Sequence, residues 1–479
     1  MDKGFLHSVH TGTMTLDFSL RDDLFNLIDN TSLSPIERRA TISIASVFGF
    51  RMLGLFMILP VVAVATRDYH DFSPLLLGLV IGAYGFTQAV LQIPLGLLSD
   101  RIGRRPVLVG GLIMFVLGSL VAAWSETMWG LFVGRALQGT GAVASTLMAL
   151  AADLTTEDNR SKVMAAIGGS IGFSFILAMM AGPFINQLYG LSGIFWFTAI
   201  LGVVAIFVVI KVIPQPFEAC FNREAIVDAT QILNLLKDQN LQRLNVGIFV
   251  LHFALMAIFL LLPDLLQIHI GVEDKNLPWA YLMLLGGGFV FMLPIMIVAE
   301  KYQSQRAALL GAILILAMTS LLLTVTTLPG VLVAILTLFF AGFNLLEALL
   351  PSWLSKVCPV GNRGTAMGIY SSSQFFGAFM GGLVGGLCLQ YFGVNGVYSV
   401  IGVVVLIWLF LSVGLQSPRP LKTLVLSVAE SNKQDFSKII SNVHGVKDIL
   451  LVEDEAFAYV QIDQSEIDMQ RLQSYLNRE

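Results

Sequence analysis

Long apolar runs recur along nearly the whole sequence, and each is long enough to cross a lipid bilayer as a helix. A helix needs about 20 apolar residues to span the hydrocarbon core. The chain has 479 residues, of which 56% are hydrophobic and only 13% charged, whereas about a quarter of the residues in a soluble domain are charged. Because an unpaired backbone group is costly in lipid, such runs fold as helices. The sequence therefore predicts an all-α polytopic membrane protein.

We predict about twelve spans in two six-helix halves. Their approximate bounds are Thr41–Ala65, Pro74–Leu98, Pro106–Ala123, Met128–Ala151, Val163–Leu188, Ile194–Val212, Leu244–Ile270, Trp279–Ala299, Ala307–Thr326, Gly330–Leu354, Gly364–Tyr391 and Val394–Leu415. Alternate loops are rich in Lys and Arg, and the loops between them hold little beyond Arg67 and Lys275. By the positive-inside rule the basic loops, and with them both termini, are cytoplasmic.

The two halves repeat each other at an offset of about two hundred residues. Leu147–Leu150 runs on to Asn159-Arg160, and Leu346–Leu349 runs on to Asn362-Arg363. An even number of spans per half makes these parallel repeats. We predict a cytoplasmic N-terminal extension at 1–38, a six-helix bundle at 39–213, a cytoplasmic linker at 214–243, a second bundle at 244–416 and a soluble cytoplasmic domain at 421–479.

The segment after Pro418 and Pro420 has the composition of a small soluble domain. Its apolar residues alternate like strands at Leu421–Val428, Val446–Val452 and Ala456–Ile462, and they follow helical spacing at Asp435–Val443 and Ile467–Leu476. This βαββα order predicts an α+β ferredoxin-like domain. The domain is a candidate site for a regulatory ligand or protein.

The composition also excludes several classes of function. The net charge of −4 gives no reason to expect nucleic acid as a partner. The three cysteines, Cys220, Cys358 and Cys388, form no C-x-x-C pair, so neither a metal site nor a disulfide framework is predicted. No nucleotide-binding loop, catalytic triad or metal cage is present. We predict no enzyme and no cofactor.

The loop between spans two and three carries the most specific motif of the chain. It reads Gly96-x-Leu98-x-Asp100-Arg101-x-Gly103-Arg104-Arg105, and it resembles the signature loop of the major facilitator superfamily. Two further stretches resemble signatures of that family: Gly134-Arg135-x-Leu137-Gln138-Gly139-x-Gly141 in span four and Gly182-Pro183 in span five. The second of these matches only part of the antiporter signature, because Ile185-Asn186 stands where another glycine-rich turn is expected.

The resemblance covers nearly all the chain after residue 36, including the C-terminal module. It is strongest to bacterial inner-membrane facilitators that carry a cytoplasmic ferredoxin-like domain. It implies a twelve-helix, proton-linked exporter in the inner membrane, whose partners are membrane lipids, protons and a small-molecule substrate. As the family arrangement implies, Asp153 lies within reach of Arg104, and we predict a conformational gate formed by Gly96, Asp100, Arg101, Gly103, Arg104, Arg105 and Asp153. The alternative is that the arginines only fix the topology.

A few polar residues inside the spans are candidates for the transport site. Arg51 and Arg135 sit within apolar spans, where an unpaired charge is expensive. They either line a central cavity or tie helices together through backbone carbonyls and glutamines such as Gln138. Glu347 in span ten is the deepest candidate for a proton carrier, because a carboxyl group in an apolar setting can exchange protons near neutral pH. The alternative is a structural hydrogen bond to Asn344 or to a neighbouring helix.

Two other titratable residues are weaker candidates for proton coupling. Asp264 follows Pro263 toward the outer end of span seven, where it is expected to make a helix-break contact. His252 in span seven has a titratable imidazole, although a single histidine on an apolar face is often satisfied and silent. We interpret the whole as an alternating-access transporter that exports a small amphipathic solute against inward proton flow. Proton-linked import and a non-transporting membrane sensor are the alternatives.

Overall fold

The computed structural model describes residues 33–214, 235–302, 304–358, 363–415, 421–427, 440, 443–451, 457–463 and 466–467. The predicted extension up to residue 32, most of the predicted linker and the two helices predicted in the C-terminal domain fall largely outside these residues. The described helices are α1 (Pro35–Phe56), α2 (Val62–Ala65), α3 (Pro74–Ile102), α4 (Arg104–Ala123), α5 (Met128–Thr140), α6 (Ala144–Asp153), α7 (Glu157–Phe207), α8 (Gln239–Phe259), α9 (Leu262–Asp264), α10 (Leu277–Lys301), α11 (Gln305–Leu322), α12 (Pro329–Val357) and α13 (Arg363–Ser412).

Helix starts follow from local sequence signals. Helix α1 begins at Pro35, six residues before the predicted span, because Ser34 and Glu37 form a reciprocal capping box and proline suits the first helical turn. The hydroxyl of Ser73 caps α3 in the same way, by accepting a hydrogen bond from the Leu76 amide at 3.2 Å. At the start of α5, Asp71 from the loop between α2 and α3 accepts the amide hydrogen of Met128 at 2.9 Å. These caps fix where three of the spans begin.

Nine described helices are long and apolar enough to cross a membrane. Two of them, α7 and α13, run for 51 and 50 residues and are interrupted by glycines with positive φ, Gly190 at 67° and Gly393 at 68°. A helix of this length is about 75 Å long, more than twice the hydrocarbon thickness. Each glycine therefore marks a kink that divides its element into two helices.

The predicted fourth span is broken in the middle. Helix α5 ends at Thr140 and α6 starts at Ala144, and the intervening backbone is not α-helical. The break leaves the carbonyl oxygen of Gly141 outside the helical ladder, where it accepts the amide hydrogen of Val143 at 2.8 Å and can accept from one further donor. A buried arginine provides one, as described below.

The internal repeat is visible as matching contacts in the two halves. In the first half, Arg39 donates to the carbonyl of Val212 at 2.9 Å and Arg105 donates to that of Ile213. In the second half, Arg243 donates to Gly414 and Arg306 to Val413. Each pair of arginines thus holds the last turn of the final helix of its own half. These four hydrogen bonds show that the two halves also correspond at the ends of their final helices.

The halves pack closely at one end of the bundle, which we call the glycine end. There α3 and α13 cross through small residues: a Cβ on Gly82 would lie 2.8 Å from the carbonyl oxygen of Phe379, and one on Gly386 would lie 2.7 Å from that of Pro74. A Cβ on Gly78 would overlap the carbonyl group of Gly382. The backbones can approach this closely only because both helices lack side chains there.

The opposite end, which carries the arginine-rich loops, is more open. Leu97 and Leu98 near the end of α3 are 38% and 40% exposed. A Cβ on Gly368 in α13 would meet nothing within 4 Å, and one on Gly96 would meet only Ser145 of its own half. Helices α3 and α13 therefore touch at the glycine end and separate toward the arginine-rich end.

The described part of the C-terminal segment contains a three-stranded antiparallel sheet. Its strands are β1 (Leu421–Ser427), β2 (Val446–Leu451) and β3 (Phe457–Asp463), in the order β1-β3-β2. Strand β3 is central and pairs with both neighbours, with a register shift between Val446 and Asp448. The three predicted strands are therefore present at nearly the predicted positions.

Candidate functional site

The arginine-rich loop is organised around Arg104. Its Nε donates to Oδ2 of Asp153 at 3.1 Å, its Nη1 donates to the Ser99 hydroxyl at 2.8 Å, and it forms an ion pair with Asp100 one turn back in α3. The turn that allows this is Gly103, whose φ of 96° is favourable only for glycine. The structure thus brings Asp100, Arg104 and Asp153 together, as the motif predicts.

The remaining residues of the motif lie around this centre. Gly96 accepts the Ser99 hydroxyl hydrogen at 2.7 Å, which places Ser99 under Arg104. Arg105 points the other way and binds the end of the last helix in its half. Arg101 is exposed. Within the described residues, Asp100 has Arg104 as its ion-pair partner and makes no ion pair with the second half.

Arg51 is 1% exposed and is held by three groups from other helices. Its Nη2 donates to the Tyr84 hydroxyl at 2.7 Å, to Oε1 of Gln88 at 3.2 Å and to the carbonyl of Gly141 at 3.0 Å. The break between α5 and α6 is what makes that carbonyl available. Its Nε and Nη1 have no hydrogen-bond partner in the described part of the chain.

Arg135, on α5 of the same half, is equally buried. Its Nη1 donates to Oε1 of Gln138 at 2.9 Å, and the guanidinium lies over the Tyr84 ring at 5.2 Å from the centroid. Gln138 in turn donates to the Ser119 hydroxyl at 2.8 Å. Both buried arginines therefore tie helices together, in the manner of the second sequence interpretation, and a role in the cavity stays a prediction.

The second half contains a cluster of three polar side chains around Glu347. The amide nitrogen of Gln374 donates to Oε1 of Glu347 at 3.3 Å and lies 2.8 Å from Nε2 of His252. That imidazole nitrogen is 3.9 Å from Oε2 of Glu347. The other ring nitrogen, Nδ1, is 3.3 Å from the carbonyl of Ile248. This geometry fits a neutral histidine that donates from Nδ1 and accepts from Gln374 at Nε2.

Glu347 contributes a buried acceptor that is not used by any described residue. Its Oε2 has no hydrogen-bond partner among the described residues, while the side chain as a whole is 40% exposed. The cluster therefore combines a carboxyl oxygen that can take up a proton with an adjacent imidazole. A hydrogen bond to Asn344 is not among the described contacts, but Gln374 of α13 supplies the other form of the structural alternative, a hydrogen bond from a neighbouring helix. The proton-carrying role of Glu347 stays a prediction.

Asp264 makes a contact that the sequence did not predict. It forms an ion pair with Arg67, which lies in the loop between α2 and α3 of the first half. The two side chains are 41% and 38% exposed. Nearby, the hydroxyl of Tyr281 donates to the carbonyl of Pro60 at 3.2 Å, again from the second half to the first. Asp264 thus links the halves at the glycine end instead of merely capping a helix break.

The partial antiporter motif marks a close approach of α1 and α7. A Cβ on Gly182 would overlap the carbonyl oxygen of Met57 and lie 3.0 Å from Cγ of Pro60. Pro183 is inside α7, where proline removes one helical hydrogen bond. Both residues therefore shape the contact between spans one and five.

Sequence analysis missed Gln374 and Tyr84. Gln374 ends the run Tyr370-Ser371-Ser372-Ser373-Gln374, which is the most polar stretch inside span eleven. Tyr84 is one of few hydroxyl-bearing residues in span two and contacts both buried arginines. Gln374 could have been identified as a candidate site residue because it ends a polar run inside an otherwise apolar span.

The fold agrees with sequence and structural comparisons. The profile of the Major Facilitator Superfamily matches residues 44–346 and 244–451. Among solved structures, the bacterial homologue of the human lysosomal transporter Spinster, in an inward-facing and occupied conformation, superposes with a TM-score of 0.62 at 11% identity, over 80% of this chain and 98% of that one.

The chain belongs to the Major Facilitator Superfamily, and it is a multi-pass secondary transporter, not an enzyme. It is similar to the inner membrane transport protein YajR of Escherichia coli, with 40% identity over 91% of this chain and 96% of YajR. It is also similar to multidrug resistance protein 1 of Bacillus subtilis, with 23% identity over 80% of this chain and 97% of that protein.

Proposed function

We propose that the protein is a proton-coupled antiporter of the bacterial inner membrane that exports a small amphipathic solute. The cluster of Glu347, His252 and Gln374 is the observation that carries this proposal, because it places a carboxyl oxygen without a partner beside a titratable imidazole. The relatives named above support the inner-membrane location and the direction of transport. The cluster lies on α8, α12 and α13, in the second half of the repeat.

The proposed topology has twelve spans. Two arise from each of α7 and α13, which turn at Gly190 and Gly393, and one arises from α5 and α6 together. The seven remaining candidates each contribute one. The arginine-rich end then faces the cytoplasm together with both termini, and the described conformation is closed outside and open inside.

In the proposed cycle, proton binding at Glu347 and solute binding in the cavity alternate. When the cavity is open to the cytoplasm, Glu347 releases its proton there, and the solute enters. After the halves rock to the outward-facing state, the solute leaves and Glu347 takes up a proton from outside. The neutral carboxyl group then returns without an unpaired charge in the membrane interior, which is the lower-energy route.

A flux assay tests this function and separates it from the alternatives. In inside-out vesicles that hold the purified protein, an imposed proton gradient is expected to drive uptake of an amphipathic fluorescent dye while protons leave. If dye and protons move in the same direction, the protein is a symporter and the proposed antiport is wrong. No flux of either under any gradient would favour the membrane sensor.

The gate is proposed to hold the outward-facing state at its cytoplasmic end. In the described, inward-open state Asp100 is engaged with Arg104 and Asp153 completes the network. This network is not itself the proposed outward-facing clamp, which needs the two carboxylates in the other state. We therefore expect Asp153→Asn and Asp100→Asn to increase the labelling rate of cavity cysteines from the cytoplasmic side several-fold, because each change removes a charge that closes the cytoplasmic end in the outward-facing state. Glu300→Gln, at the corresponding place in the second half, is the control. Equal labelling in all four proteins would contradict the gate.

We also propose that residues 421–479 form a ferredoxin-like domain with a regulatory role. The order β1-β3-β2 supports this, because a βαββα chain places its third strand between the first two. Buried Ile440, Val443, Val460 and Ile462 form a small core beside the sheet. A solution structure of this segment that lacks two helices on one face of the sheet would exclude the ferredoxin-like fold.

A further inference from the structure

A groove runs down the outer surface of the first half, starting at its arginine-rich end. Its volume is about 570 Å³. It is lined by Leu33, Pro35, Arg38, Arg39, Ile42, Ser43, Ser46, Phe50, Val204, Val208 and Val212. These residues come from the start of α1 and the end of α7 with the π-helical turn Val208–Val212 that follows it. None belongs to α8, α12 or α13, so the groove is separate from the Glu347 cluster.

The walls of the groove follow from helical spacing. Arg38, Ile42, Ser46 and Phe50 are four residues apart and lie on one face of α1. Twelve residues of helix rise about 18 Å, and half of a bilayer's hydrocarbon core is about 15 Å. The facing wall consists of the valines of α7 and the π-helical turn. The groove is therefore apolar for about the depth of one leaflet.

The mouth of the groove is basic. Arg39 is fixed there, since its Nε donates to the carbonyl of Val212 at 2.9 Å. The Arg38 side chain is exposed and has no hydrogen-bond or ion-pair partner among the described residues. The acid nearest in sequence, Glu37, is buried and turned away, because its carboxylate binds Thr156 at 2.9 Å and Asn159 at 3.1 Å. The positive charge at the mouth is thus not compensated by a described lining residue.

We propose that this groove is a binding site for an anionic phospholipid, with the phosphate group at Arg38 and Arg39 and one acyl chain against Ile42, Phe50 and Val204. Guanidinium groups bind phosphate oxygens strongly and in defined geometry. A basic pocket between membrane helices, continuous with an apolar groove, matches both parts of such a lipid. The site is independent of the transported solute.

The second half has a single arginine at the position that corresponds to Arg38 and Arg39, and it supplies the control. Arg243 corresponds to Arg39, because it donates to the carbonyl of Gly414 at the end of the final helix. The residue before it is Gln242, where the first half has Arg38. The pair of adjacent arginines at the mouth of the groove is therefore a feature of the first half. Arg243→Gln removes an equivalent hydrogen bond to the end of a helix and leaves the groove unchanged.

Native mass spectrometry of the full-length protein tests the proposal. After delipidation, the protein is titrated with phosphatidylglycerol, with phosphatidylethanolamine of the same acyl chains, or with inorganic phosphate alone. We expect retention of one phosphatidylglycerol per chain and weak retention of phosphatidylethanolamine. Each lost charge near a membrane surface costs about fivefold in affinity, so Arg38→Gln is expected to weaken retention about fivefold and the double variant with Arg39→Gln further.

Two more variants keep the test decisive. Arg243→Gln should retain phosphatidylglycerol as the wild type does, and Ser46→Trp should lose it by filling the groove. Equal retention by wild type and the double arginine variant would overturn the proposal, as would displacement of the lipid by inorganic phosphate. Retention only after deletion of residues 1–32 would show that the chain's own N-terminal segment is the occupant, and would also overturn it.

Discussion

Replacing Glu347 with glutamine is expected to abolish proton-driven accumulation while solute exchange continues. Glutamine keeps the shape of the side chain and its hydrogen bond with Gln374, but it cannot bind or release a proton. In the wild type, Oε2 has no partner and lies 3.9 Å from Nε2 of His252. The change therefore removes the proton site and leaves the cavity, so that coupling is lost and passive exchange is retained.

The measurement compares two assays on the same vesicles. Accumulation against a gradient follows dye uptake after a pH jump, and exchange follows counterflow of preloaded dye without a proton gradient. Glu273→Gln carries the same substitution in an exposed loop, where its partner is Lys275 at 2.7 Å, and should behave as the wild type in both. A Glu347→Gln protein that still moves protons at the normal rate would transfer the coupling role to another residue, first to His252.

Replacing Gly78 with alanine is expected to shift the transporter toward the outward-facing state and to slow transport strongly. A Cβ at this position overlaps the carbonyl group of Gly382 when the glycine end is closed. Overpacking of a tight contact costs about 1–3 kcal/mol, and about 1.4 kcal/mol changes an equilibrium tenfold. The inward-open population should therefore fall by about 5- to 150-fold, because the clash exists only in that state.

Gly110→Ala is the matched control for this experiment. It makes the same change inside α4, where a Cβ would meet nothing within 4 Å, and both substitutions raise intrinsic helix propensity equally. Spin-label distances across the two ends of α3 and α13 report the populations directly. If both variants show the same distances as the wild type, the glycine contact does not control the closure.

Much of the architecture was readable from local pattern. Apolar runs of about 20 residues and the basic loops between them are properties of neighbouring residues, so they need no knowledge of tertiary contacts. The caps at Ser34 and Ser73 are equally local, although they were not predicted. The same holds for the turn at Gly103, because a helix that ends beside another helix start needs a residue that accepts positive φ. The three strands of the C-terminal segment followed from their period of two.

The pairing of polar side chains inside the bundle could not be predicted from local sequence patterns. Gln374 is 122 residues from His252 in the chain, and Arg51 reaches the carbonyl of Gly141 over 90 residues. A glutamine in an apolar span carries no sign of the neighbour that it will face, since that depends on the rotation of each helix about its axis. Sequence analysis therefore found Glu347 and His252 separately but not the residue that joins them.

By itself the sequence determined the membrane spans, the repeat and the Arg104 loop, because each is a matter of spacing along the chain. Only the tertiary structure decided which end of the bundle is closed, that Asp264 pairs with Arg67 across the halves, and that a break in the fourth span brings the carbonyl of Gly141 to Arg51. The physical reason is that a polar or charged side chain inside a membrane is stabilised by a partner. The sequence contains several possible partners for each polar side chain, and the packing of the helices decides which of them it contacts.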